Sequence, residues 1–221
     1  MSDPVLPVVI IGGGGHASVL VDILRQQNRD ILAVISPDPI DSRSVFNGIL
    51  HLLSDDDIHQ FETNAVRLIN GIGMLPGNTI RKHVANKFEA MGYRFDSVIA
   101  SSAIVSPFAQ LADGVQLFPG SIVQAGSQLG THSIVNSAAL IEHDCVLGNF
   151  NHVAPRATLC GQVECHDSVF IGAGATVIQS ISIGTGAIIG AGAAVTKDLS
   201  VGHICLPAQS VQQSIEPKVM P

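Results

Sequence analysis

An apolar side chain recurs at every sixth position from Ile99 to Val195, and this period limits the chain more than any other feature. The series runs Ile99, Val105, Leu111, Leu117, Val123, Leu129, Val135, Ile141, Leu147, Val153, Leu159, Cys165, Ile171, Val177, Ile183, Ile189, Val195. Seventeen hexads follow one another without insertion or deletion, and sixteen of the seventeen positions are aliphatic. Four residues after each stands a mostly small or aliphatic side chain, such as Ala103, Val115, Ser127, Ala139 or Cys145, with Asn151 as the outlier. A period of six is neither the 3.6 of a helix nor the alternation of a plain strand. Glycines scattered through the repeat would also weaken a long helix. A unit of short strand plus bend, one aliphatic inward per unit, builds a parallel β-helix. Three units close a triangular coil of eighteen residues, so Val105, Val123, Ile141, Leu159, Val177 and Val195 form one column. Successive coils then lie at the strand spacing of about 4.8 Å.

Residues 8–98 read differently, as a small α/β unit. The apolar run Val8–Ile11 breaks into Gly12-Gly13-Gly14-Gly15-His16-Ala17, and a helical pattern follows through Val19, Leu20, Ile23 and Leu24 to about Gln27-Asn28. Ile31–Ile35 is a second strand closed by Ser36-Pro37-Asp38. After a loop over Asp41–Gly48 and a short acidic helix at Asp55–Glu62, Val66–Asn70 forms a third strand. Asn78 caps a helix from Thr79 to Met91 that Gly92 stops. Strand, glycine turn, helix, strand is half of a doubly wound nucleotide-binding fold. Gly12-x-Gly14-x-x-Ala17 fits the phosphate-binding turn, in which backbone amides at a helix start meet an anion. The unit is too short for a full dinucleotide fold, so a mononucleotide-linked ligand is expected. Gly12, Gly14, Gly15 and His16 are its first candidates, with Ser36, Pro37, Asp38 and Gly73 beyond the strand ends. Asp38 also reads as a solvated turn residue beside Pro37.

Composition narrows the classes. The formal charge of −7, with no basic run, argues against general binding to nucleic acid or anionic membranes. No apolar stretch approaches the roughly 18–20 residues of a membrane span, and Met-Ser-Asp-Pro at the start does not resemble a signal peptide. Cys145, Cys160, Cys165 and Cys205 lack the Cys-x-x-Cys spacing of a zinc site, and they suit a reduced, cytoplasmic setting. No metal is expected.

The hexad pattern resembles the left-handed β-helix of the hexapeptide-repeat acyltransferases. The handedness comes from that resemblance, since parallel crossovers are otherwise right-handed. A Gly-Gly-Gly-Gly-His-Ala turn, a small nucleotide unit (1–98) and then the β-helix with its tail (99–221) look like the nucleotide-sugar acetyltransferases of the PglD and NeuD type. The matching stretches are Gly12–Ala17, residues 136–144, His152-Val-Ala-Pro155 and Leu206-Pro207-Ala208. The resemblance implies an acetyl-CoA-dependent N-acetyltransferase. Its first unit would hold a nucleotide-linked amino sugar, and acetyl-CoA would lie along the β-helix between subunits of a homotrimer.

His143 is the third residue of its hexad, between the inward Ile141 and Cys145, so it points outward. It stands between Glu142 and Asp144, with Ala125 and Gly161 one coil away. An exposed histidine between acids is commonly inert; the resemblance makes His143 the general base and Asp144 its orienting partner. A histidine titrating near 6.5 can take the amine proton at neutral pH. Strand alternation would aim the two side chains apart, so their pairing requires a bend at the corner. The resemblance also implies that Asn136 lies near the sugar, and that His152 lies by acetyl-CoA and the acceptor. Gly172, Ala173, Gly190 and Ala191, with Gly161, present little side chain along the coil edge where the pantetheine arm would lie, although coil geometry alone explains the glycines. Lys197 reads as the phosphate contact or as a simple solubilising lysine, and the resemblance implies that Pro207 and Ala208 lie near the adenine.

Three other readings share this architecture. An O-acetyltransferase would use His143 equally well. A zinc carbonic anhydrase of the γ type needs three histidine ligands, and His132, His143, His152 and His166 lack the close pair spaced five apart. A non-catalytic nucleotide-sugar-binding module would need the cradle alone.

Overall fold

The computed structural model describes residues 5–208. Met1–Pro4 and the C-terminal tail from residue 209 onward, both included in the sequence expectations, lie outside the described residues.

The N-terminal unit is a four-stranded parallel sheet. Its strands are β1 (Val8–Ile11), β2 (Ile31–Ile35), β3 (Leu50–Leu52) and β4 (Arg67–Asn70), in the order β3-β2-β1-β4. The sequence Val-Val-Ile-Ile of β1 is buried throughout because both faces of the sheet are covered. Helix α1 (Gly15–Gln26) packs Leu20, Val21 and Leu24 against Val8, Ile10 and Val34 on one face. Helix α2 (Ile80–Ala90) packs Ala85 and Phe88 against Val9, Ile11 and Leu68 on the other.

Strand β3 was not expected from the sequence; it is three residues long and carries an exposed Leu50 beside two half-buried residues. Such a segment gives no apolar run to read. The acidic segment is a 3₁₀ helix over Asp55–Gln60, capped by Ser54 and Asp57. The cap of α2 is Thr79, one residue later than expected; the Asn78 carboxamide accepts the Ile80 amide at 2.8 Å instead.

From Val98 the chain winds into a left-handed parallel β-helix of eighteen two-residue strands. They form three parallel sheets of seven, six and five strands, the faces of a triangular prism. These are called here the first, second and third faces, which begin at Val98–Ile99, Ile104–Val105 and Gln110–Leu111. Register confirms the column, since Val105 pairs with Val123, Val123 with Ile141, Ile141 with Leu159, and so on to Val195. The interior is the apolar stack that the hexads specify, from Val115 to Val195. Asn151 is accommodated because its carboxamide donates to Gly148 O and accepts the Val169 amide one coil on, leaving this buried polar group paired. Phase is lost after Val195. Ile204 pairs with Ile188 after sixteen residues rather than eighteen.

From Gly114 to Gly192, each corner turns through a left-handed residue three places after the inward one. Gly114, Gly120, Gly126, Gly174, Gly186 and Gly192 fill this place, and so do His132, Ala138, Asp144, Phe150 and four further non-glycine residues. That conformation costs a non-glycine residue roughly 1–2 kcal/mol, and stacking of the coils holds it.

The two units share one core. Phe118 and Ile134 of the first face join the α1 cluster, and Phe150, at the corner between the third and first faces, joins the α2 cluster. His132 at that corner stacks on Phe150 with ring centroids 4.8 Å apart, and its Nε2 meets Glu89 of α2 at 2.8 Å. The α/β unit therefore sits on the first face. The corner between the second and third faces lies opposite it.

Candidate active site

The sheet's C-terminal edge opens on a cleft of about 740 Å³. Gly12, Gly14, Gly15, His16, Ser36, Pro37, Asp38 and Gly73, the candidates for the substrate end, are brought together in its lining. The glycines there have specific causes. Gly12 holds φ +99°, and a Cβ on Gly71 would fall 2.8 Å from the Ala17 Cβ and 2.9 Å from Gly12 O. Helix α1 has Gly14 at its N-cap, with no side-chain cap and no acid in its first turn. Its first amides are thus left for an anion. Sequence reading missed Arg43, the only lysine or arginine among the lining residues, which lies on an irregular loop with no motif to mark it.

Two histidines reach this cleft, and both are held neutral. His16 Nε2 meets Gln116 Oε1 at 2.7 Å. Burial, then the Arg81 guanidinium, push its pKa down to about 3 against that bond. His152, expected by acetyl-CoA and the acceptor, lies buried in the cleft wall on the first face. Its Nδ1 donates to Met74 O at 3.1 Å and its Nε2 faces the Asn136 carboxamide at 3.2 Å. Asn136 is oriented by accepting the Ser137 amide on Oδ1, so it is the Nδ2 that donates to His152. Burial pushes His152 down to about 4, with Arg81 adding to the effect.

Arg81 is itself buried and held by carbonyls, with Nη1 donating to Asn70 O and Ile72 O at 2.9 and 2.7 Å. No carboxylate pairs with it among the described residues. Burial lowers its pKa to about 9, so it remains a cation at neutral pH.

These shifts give stability a pH dependence. Above pH 6.5 histidine is neutral in both states, so His152 contributes nothing to the slope. As pH falls below 6.5 the unfolded chain takes a proton that the folded His152 refuses until about pH 4. His152 alone should therefore remove about 2 kcal/mol of stability between pH 7.5 and pH 5. Urea unfolding at the two pH values measures this, and a His152→Gln variant should lose that part of the difference.

His143 and Asp144 stand on the opposite corner, between the second and third faces, and both are exposed. The bend needed for their pairing is there, because Asp144 occupies the left-handed corner position at φ +59°. His143 Nδ1 donates to Asp144 Oδ2 at 2.9 Å. In the neutral ring Nε2 is then the free acceptor. The ring lies over Gly161 in the next coil, where a Cβ would fall 2.5 Å from Nε2. Gly161 thus seats the imidazole and is covered by it.

The remaining expected residues divide between two corners. Gly161, Gln179 and Lys197 follow His143 at intervals of eighteen, so the exposed Lys197 stands three coils along the same corner. At the strand spacing that is about 14 Å from His143. Gly172, Ala173, Gly190 and Ala191 form a separate column at the corner between the first and second faces, where Ala173 and Ala191 are exposed. A Cβ on Gly172 would fall 2.5 Å from Ala191 N, and one on Gly190 would fall 2.9 Å from Pro207 Cδ. Close stacking of the coils accounts for both glycines. The exposed Ala208 follows Pro207 at the end of the described residues. No three histidine, cysteine or acidic side chains are grouped to hold a metal among the described residues. No described helix is long and apolar enough to cross a membrane.

A glycine-lined cleft on a short parallel sheet, fused to a β-helix with an outward imidazole–carboxylate pair, is the architecture of a hexapeptide-repeat acyltransferase. Comparison with known proteins makes this specific. Residues 7–88 match the family model described as the PglD N-terminal domain. A histidine-to-asparagine mutant of perosamine N-acetyltransferase from Caulobacter crescentus, solved with CoA and GDP-perosamine, superposes with TM-score 0.83. It is 33% identical over 92% of this chain and 94% of that one. The acetyltransferase domain of PglB from Neisseria gonorrhoeae, solved with acetyl coenzyme A, superposes with TM-score 0.84 at 26% identity over 94% of this chain and 100% of that one. A curated GDP-perosamine N-acetyltransferase from Escherichia coli is 28% identical over 107 residues, 48% of each chain, so the match spans about half that relative's length. The chain belongs to the PglD/NeuD-type family of hexapeptide-repeat sugar acetyltransferases.

Proposed function

We propose that this protein transfers the acetyl group of acetyl-CoA to the amino group of a nucleotide-linked amino-deoxy sugar. The carrying observation is the His143–Asp144 pair, held at an exposed corner with Nε2 bare, in a chain that also builds the glycine-lined cleft. In this reading the cleft holds the nucleotide, with the first amides of α1 and Arg43 facing its phosphates. Acetyl-CoA lies along the second face, its thioester near His143 and its phosphates toward Lys197. The exposed Ala173 and Ala191, with Pro207 beyond them, flank the other edge of that face.

The amine nitrogen attacks the thioester carbon, and the tetrahedral adduct collapses with loss of the CoA sulfur. His143 Nε2 takes the amine proton and returns it to the departing thiolate, so amide and free thiol are the products. Asp144 fixes the tautomer and steadies the imidazolium. Attack is direct. Cys145 points inward, donates its thiol to Cys160 O at 3.2 Å, and burial pushes its pKa up to about 11, so it is unsuited to carry an acyl group. Mixing enzyme with acetyl-CoA alone should accordingly release no stoichiometric burst of CoA, which a thiol-trapping stopped-flow assay reads.

Cleft and base lie on opposite sides of the prism in one chain, which supports a homotrimer in which one subunit's nucleotide cleft serves its neighbour's His143. The four thiols are free, in keeping with a cytoplasmic setting. The deciding experiment is a panel of UDP-, GDP-, dTDP- and CMP-linked sugars, amino and hydroxyl forms side by side, incubated with acetyl-CoA. An acetylated amine supports the proposal. Acetylation of the hydroxyl forms alone makes it an O-acetyltransferase, and no transfer with retained nucleotide binding makes it a binding module.

A further inference from the structure

Gln116 belongs to the β-helix, points outward from the first face, and is 1% exposed. Its carboxamide can be oriented from its partners alone. Nε2 lies 2.8 Å from Asn70 O, a carbonyl that can only accept, so the amino group must face Asn70 and Oε1 must face His16. Oε1 also only accepts, so the proton of the His16 ring must be on Nε2, 2.7 Å away. His16 Nδ1 is left as a bare acceptor. It has no partner among the described residues, is not among their enclosed unpaired atoms, and belongs to a ring that lines the cleft beside Gly73. Phe118 of the same β-helix supports the ring at a centroid distance of 4.9 Å.

We propose that Gln116 is a positioning residue that locks His16 in the Nε2–H tautomer, so that Nδ1 accepts a hydrogen bond from a hydroxyl or N–H group of the bound nucleotide sugar. The β-helix thereby sets the recognition chemistry of a cleft built by the other unit. A neutral acceptor reads a donor on a ribose, base or sugar and offers nothing to a phosphate, which separates the role of His16 from that of Arg43 and the α1 amides. The charged or titratable groups that act on the ring, Arg81 and His152, both work against a second proton there. Identification of the donor rests on the nucleotide-sugar reading of the cleft; the tautomer does not.

The test uses the full-length protein with imidazole-¹⁵N histidine. Wild type should show one ring with a protonated Nε2 and a bare Nδ1 that does not titrate between pH 8 and pH 5, and whose Nδ1 resonance moves on saturation with UDP or GDP. Gln116→Glu places a carboxylate on Nε2, and the ring should then titrate inside that range. Gln116→Leu should raise KM for the nucleotide sugar about tenfold and leave KM for acetyl-CoA within about twofold. If the leucine variant does not fold, the wild-type spectrum and the glutamate titration still decide. A proton on Nδ1 in wild type, or a folded leucine variant with unchanged KM, overturns the proposal. Failure of wild type to bind any of UDP, GDP, dTDP and CMP by calorimetry would remove the nucleotide reading, and with it the donor, while leaving the tautomer to be judged by the spectrum.

Discussion

Replacing His143 with asparagine should lower kcat by about 10²–10⁴-fold, the usual contribution of a positioned general base. The side chain is exposed, and its one hydrogen bond among the described residues is to its neighbour Asp144. Thermal stability and acetyl-CoA affinity should therefore stay near wild type while turnover collapses. Asparagine retains polarity and rough volume but offers no lone pair where Nε2 stood. Steady-state kinetics beside a melting curve reads both quantities. An asparagine variant retaining more than about a tenth of wild-type turnover would show that the amine loses its proton elsewhere.

The second large effect separates two glycines that look equivalent in sequence. Both Gly161 and Gly172 lie within a β-helix coil, and a methyl on either would fall 2.5 Å from a neighbouring atom. At Gly161 that atom is His143 Nε2, the far end of an exposed side chain that can swing aside. At Gly172 it is Ala191 N, with the Gly190 carbonyl carbon at 2.7 Å, and backbone inside a stacked coil has nowhere to go. Gly161→Ala should accordingly keep its melting temperature and lose at least about tenfold in kcat, through displacement of the base. Gly172→Ala should lose about 1–3 kcal/mol of stability, as an overpacked core does, and keep its turnover wherever it remains folded. Matched urea titrations and initial rates for the two variants decide the matter. Equal stability losses in both would mean that the His143 ring is not seated on Gly161.

The β-helix was the most legible part of the chain because its side chains report burial with a fixed period. Ile141 and Val123 pair in the structure as the hexads require. The glycine turn also announced itself, since Gly12–Gly15 separate an apolar run from a helical pattern and do line the cleft. The His143–Asp144 contact was only half legible. Alternation along a strand argues against it, and the left-handed φ of Asp144 that permits it belongs to a corner position that eight non-glycine residues share. Glycine at that position in other coils was the available signal. His152 was harder to place, because the period shows only that it points outward. Whether it meets solvent, cofactor or another unit depends on Met74 and Asn136, which are distant in sequence or on a different corner. Arg43 and Gln116 left no trace at all. Each acts through a tertiary neighbour, and neither lies in a pattern.

A crystal structure of the protein with CoA and its nucleotide-linked amino sugar tests the central claim most directly, through the distance from the sugar nitrogen to His143 Nε2. Hydrogen-bond reach, about 2.6–3.2 Å, with the nucleotide seated among Gly12–His16 of a neighbouring subunit, is the expected result. A sugar nitrogen beyond about 6 Å from that atom, with no water between them, would contradict it.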